Sequence, residues 1–242
     1  MLKSEKILNE GRKIMTDFEK REDALFEEWI KERNYSSFMK DGVIDEKTYF
    51  NEDTKILFVL KEANCPKGKD DLKPYLKNPE LKGNWWRTWN NIARWTIALL
   101  ENSPYPQYIS REFRASVLKR VAFLNLKKVG GKAKAVPSEI EEAAKKDSGF
   151  IKKQIEMYDP DIIICCGQNG VSNAELLREN ALKNNSSAKT ETENSIIYFK
   201  YKFCEKQIPV VSFCHPQMWG GHKRFEEKYN LMVGVRKELL DK

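Results

Sequence analysis

Three polar side chains stand at the ends of apolar runs, where a strand hands the chain to a loop. Glu62 follows KILFVLK, Asn125 follows VAFL and His215 follows VVSFC. A carboxylate in such a position orients or deprotonates a water, or serves as a solvated acid paired with Lys61. The Asn125 amide donates and accepts on one planar group, so it either makes paired hydrogen bonds to a ligand edge or caps the turn at the strand end. His215 is one of only two histidines and precedes Pro216. A neutral imidazole fixed there donates to a developing oxyanion, or it caps the turn.

The elements that must present these groups are legible from periodicity. KILFVL (55–60) is a continuous β-branched and aromatic run, which suits a strand buried on both faces of a parallel sheet. VLKRVAFLNL (117–126) predicts a second strand, DIIICC a third, and SIIYFKYKF and QIPVVSFC two more. KKVGGKAKAVP reads as a flexible basic loop after the second strand. Between the strands, WWRTWNNIARWTIALL, SEIEEAAKKDSGFIKKQIEMY and VSNAELLREN read as helices, and RFEEKYNLMVGVRKELL closes the chain as another. Ser138 and Glu141 have capping-box spacing at the start of the second of these. Apolar positions from Ile7 to Ile30 predict one or two amphipathic helices near the start. Alternating strands and helices imply an α/β fold, with a mostly parallel central sheet of about four strands between helical layers. Residues 1–50 are expected as a helical extension packed on a main domain spanning 51–242. Ligands of such sheets bind beyond the carboxyl ends of the strands.

Composition narrows the class. The chain has 242 residues, 40% hydrophobic and 33% charged, and no apolar run of membrane-spanning length. Its charged start lacks a secretory pattern, so the expected location is the cytoplasm and no membrane partner is expected. The five cysteines, Cys65, Cys165, Cys166, Cys204 and Cys214, show no CxxC spacing. They read as reduced thiols, with no metal and no cofactor implied. The net charge of +7 fits either a polyanion partner or a lysine-rich solvated surface. Lys127, Lys128, Lys132 and Lys134 are the basic positions placed where a phosphate backbone would pass.

ILFVLKEAN, GNWWRTWNNIARW, RVAFLNLKK, FIKKQIEMYDPDIIICCGQNG and CHPQMW occur in that order over residues 55–242. Together they resemble the uracil-DNA glycosylase superfamily. The resemblance implies a three-layer αβα sandwich and a DNA glycosylase that flips a deaminated base such as uracil and hydrolyses its N-glycosidic bond. It implies Glu62 as the water-activating acid and His215 as the group that stabilises the departing base. Asn125 and Asn64 would contact the base, with Trp86, or Trp85 in its place, stacking on it. Trp219 would wedge the duplex, and Gln217, Lys127 and Lys128 would meet the DNA. The chain departs from the family pattern where Leu60 or Lys61 replaces a glycine, Ala63 or Asn64 replaces a proline, and Gln217 follows His-Pro in place of serine.

Two other readings stay open at this point. One is a catalytically silent relative that binds a nucleobase, nucleotide or nucleic acid in the same pocket. The other is an α/β protein retooled for an unrelated small molecule. The expected state is a monomer.

Overall fold

The computed structural model describes residues 16–64, 71–78, 86–131, 134–168 and 171–241. In chain order the elements are α1 (Asp17–Arg33), β1 (Gly42–Val43), α2 (Glu46–Phe50), β2 (Ile56–Asn64), α3 (Lys73–Lys77) and α4 (Trp86–Leu100). They continue with α5 (Arg111–Leu118), β3 (Val121–Gly131), α6 (Pro137–Lys146), α7 (Ser148–Tyr158), β4 (Ile162–Cys166) and α8 (Asn173–Glu179). β5 (Thr190–Glu191), β6 (Ile197–Phe203), β7 (Lys206–Phe213) and α9 (His222–Leu239) complete the fold.

The strands form one seven-stranded mixed sheet in the order β1-β3-β2-β4-β7-β6-β5. β3, β2, β4 and β7 are mutually parallel neighbours, while β1, β6 and β5 extend the edges with antiparallel pairing. The sheet is wider than the expected four or so strands: the alternating run SIIYFKYKF adds β6 at one edge, and the two-residue β1 and β5 are too short to register as apolar runs.

Alternation along each strand splits the core in two. Leu57, Val59, Ala122, Leu124 and Ile163 face a layer that includes Phe26 and Trp29 of α1 and Phe150, Ile151 and Ile155 of α7. Ile56, Phe58, Val121, Phe123 and Ile164 face the opposite layer, with Ile92, Trp95 and Leu99 of α4 and Met232 of α9. A sheet buried on both faces needs this pattern, which is why KILFVL lacks any polar alternation. β1 joins the sheet beside β3, so residues ahead of position 51 contribute to the sheet as well as to a covering helix.

Three local expectations are corrected. Residues 117 and 118 end α5, and β3 runs on through Lys127, Lys128 and Gly131 in place of a loop. The segment 138–158 is two helices, broken at buried Asp147, which accepts from Arg33 Nε at 3.0 Å and from Tyr35 Oη at 2.6 Å. Ser138 does not cap, because Pro137 starts α6 one residue earlier and Val136 takes the cap position. No helix among the described residues is long and apolar enough to cross a membrane.

Candidate functional site

β2 and β3 outrun their neighbours. Pairing of β2 with β4 stops at Val59 and Cys165, whereas pairing with β3 continues through Leu60–Asn125 and Glu62–Lys127 to Asn64–Gly131. The register shifts between Glu62 and Asn64. This two-stranded projection, α4 and the loop after β7 enclose a cleft of about 110 Å³ at the carboxyl end of the parallel strands. Glu62, Asn64, Asn125, His215 and Gln217 all line it, as do Leu60, Leu72 and Trp89. Five of the sequence-nominated residues thus share one cavity.

Each polar group is held differently. The Glu62 side chain is 5% exposed and accepts from Lys127 Nζ at 2.9 Å. Lys127 also bonds Glu139. Partial burial opposes the Lys127 charge, but the bonds to Glu139 and Glu62 raise its pKa above the usual lysine range. Gly131 lies so close that an added Cβ would sit 1.9 Å from the Glu62 carboxyl carbon. The absence of a side chain there makes the room for the carboxylate.

Asn125 is fully buried, and its backbone N–H and Nδ2 donate to one oxygen of Asp41 at 2.6 and 3.1 Å. Its Oδ1 has no hydrogen-bond partner among the described residues. Asp41 accepts in addition from Lys128 Nζ at 2.7 Å and from Gln154 Nε2 at 2.8 Å. Gln154 bonds Tyr158, which donates to Glu22 at 2.7 Å, so a buried polar chain runs from the cleft wall to α1.

His215 stands at the cleft mouth. The backbone N–H of Gln217 donates to its Nδ1 at 3.1 Å, which leaves the proton of the neutral ring on Nε2. The enclosing walls, with Lys61 adding repulsion, lower the imidazole pKa below its usual range. Asn91 of α4 donates from Nδ2 to the Pro216 carbonyl at 2.8 Å and ties the His-Pro loop to the helix. Farther along that loop Trp219 is 75% exposed, with the Arg87 guanidinium 4.3 Å from its ring centroid.

One assignment changes. Lys128 has no exposure and is ion-paired to Asp41 beneath Trp29, so it does not face a phosphate. In β3 it points to the α1 and α7 layer, opposite to Lys127 and Asn125. Burial lowers its pKa, against the pull of Asp41. Lys127 serves Glu62 and Glu139 before any external anion. Lys134 is exposed, and Lys132 lies outside the described residues, as do Trp85 and the side chain of Trp86. Trp89 is the aromatic wall that the structure describes; in the sequence it belongs to the apolar stripe of α4, which hid its second role. Arg87 and Arg224 were not singled out by spacing either; Arg224 folds against Gly220, next to Trp219.

No family model matches the chain, and no curated protein matches it.

Proposed function

We propose that the cleft receives a flipped-out, deaminated base such as uracil and that the protein hydrolyses its N-glycosidic bond to DNA. The observation that carries this reading is the convergence of Glu62, Asn125 and His215 on one cavity at the carboxyl end of parallel strands. Glu62 orients a water toward the anomeric carbon. The bond from that carbon to the base nitrogen breaks, its electron pair leaves with the base, and the water oxygen takes the vacated place. The proton given up by the water balances the one the base anion later takes. His215 donates from Nε2 to the base oxygen on which charge develops, and a donor already set in place costs no reorganisation. Asn125 reads the base edge, Asn64 and Trp89 flank it, and Trp219 occupies the gap left in the duplex. Arg87, Gln217 and Lys134 meet the DNA. All of these groups come from one chain, so a monomer suffices in the cytoplasm.

One observation favours a second reading, in which the site binds a base without cleaving it: Lys127 already occupies the Glu62 carboxylate. Incubation with oligonucleotides containing uracil, hypoxanthine or xanthine, followed by alkali, separates the two. Strand breaks at one of these bases support the glycosylase. Binding without breaks supports the silent relative, and neither binding nor breaks contradicts both.

A further inference from the structure

Asn125 is buried, lines the cleft and carries an unpartnered Oδ1. An amide can turn over and exchange its oxygen and nitrogen, and the two orientations read opposite ligands. With Oδ1 toward the ligand it accepts from a ring N–H beside a carbonyl, as in uracil or hypoxanthine. With Nδ2 there it donates to an unprotonated ring nitrogen beside an amine, as in cytosine or adenine. Deamination converts the second edge into the first, so the sense of one amide decides whether the damaged or the normal base fits.

We infer that Asp41 is the specificity-determining positioning residue of this cleft: it locks the Asn125 amide with Nδ2 inward, so that Oδ1, and not Nδ2, meets the ring nitrogen of the ligand and asks it for a donor. A carboxylate has only acceptors. The same Asp41 oxygen receives the Asn125 backbone N–H at 2.6 Å and Nδ2 at 3.1 Å, and turning the amide over would set Oδ1 against that oxygen. Lys128 Nζ donates to both Asp41 oxygens and Gln154 Nε2 to the oxygen that Asn125 does not use, which fixes the carboxylate. Asp41 itself touches no ligand. Its buried lysine partner, which is of no use for phosphate contact, thereby acquires a role in keeping the lock charged and in place. The lock rests on the nucleobase reading for its purpose but not for its existence.

The test is a titration of the isotope-labelled full chain with free uracil and free cytosine, followed on the Asn125 side-chain amide resonance, which loss of signal in Asn125→Asp identifies. The paired variant Asp41→Leu with Lys128→Met removes the acceptor without stranding a buried charge. The wild type should bind uracil at least about tenfold more tightly than cytosine, and the paired variant should hold the two within about threefold. Selectivity unchanged in the paired variant overturns the lock and leaves the nucleobase reading standing. If the wild type binds neither base, that reading fails, and the lock is judged on the resonance alone. A coupling across the hydrogen bond from Nδ2 to the Asp41 carboxyl carbon in the wild type then supports it, and its absence overturns it. The same coupling decides the matter if the paired variant does not fold.

Discussion

Gly131→Ala probes how tightly the water-orienting carboxylate is placed. The added Cβ would stand 1.9 Å from Glu62 Cδ and 2.0 and 2.3 Å from its two oxygens. Ordinary contact begins near 3.4 Å, so the carboxylate must retreat by about 1.5 Å. A move of that size breaks the 2.9 Å bond from Lys127 and takes the acid off its line to the anomeric carbon. Misplacing a reacting group by about 1 Å costs on the order of a hundredfold in rate, so single-turnover excision should fall by that factor or more. Gly131 has no positive φ, so alanine brings no backbone strain, and lower unfolded-state entropy partly offsets the weakened ion pair. Because the pair is mostly buried, unfolding free energy should fall modestly, by about 1–3 kcal/mol. The assay is rapid-quench excision on a uracil oligonucleotide beside a urea melt. An excision rate within threefold of wild type would refute the placement of Glu62.

Four further outcomes are expected. His215→Ala should lower turnover on the order of a hundredfold with DNA affinity little changed, read by single-turnover kinetics and anisotropy. The useful form of His215 is neutral and its pKa is lowered, so excision should be flat above neutrality and decline only as pH falls below the ordinary imidazole range; a decline centred above pH 7 would exclude it. Trp219→Ala should slow excision from duplex far more than from single strands, since only a duplex has a gap to fill. Lys128→Met alone should cost about 3–5 kcal/mol in urea unfolding by stranding buried Asp41, whereas a phosphate-contacting lysine would change the salt dependence of binding and leave stability unmoved.

Much of the sheet was legible because a strand buried on both faces leaves an unbroken apolar run, as ILFVL and DIIICC do. His215 lies past the end of β7 as the VVSFC run implies, whereas Glu62 and Asn125 lie within β2 and β3, whose pairing continues beyond the apolar runs and carries them to the cleft. Lys127 and Lys128 were misread for a physical reason. LKKVGG combines two lysines and two glycines, all poor strand formers, and looks like a loop. What keeps it in the sheet is a pair of acids remote in sequence: Glu62, 65 residues away, and Asp41, 87 residues away. No local pattern announces such partners. Trp89 was hidden for a different reason, since one helical stripe supplies both the core and the cleft wall. The orientation of the Asn125 amide depends on Asp41 across the sheet edge, and the helix break at Asp147 depends on Arg33 and Tyr35 from the other end of the chain.

Base release by the cleft is measured most directly by chromatographic detection of free base from a uracil-containing oligonucleotide, with wild type, Glu62→Gln and His215→Ala run side by side. The wild type should release one uracil per modified strand, and each variant should be slower by at least about a hundredfold. No free base from folded wild type on uracil, hypoxanthine or xanthine strands, or release that persists undiminished in both variants, would contradict it.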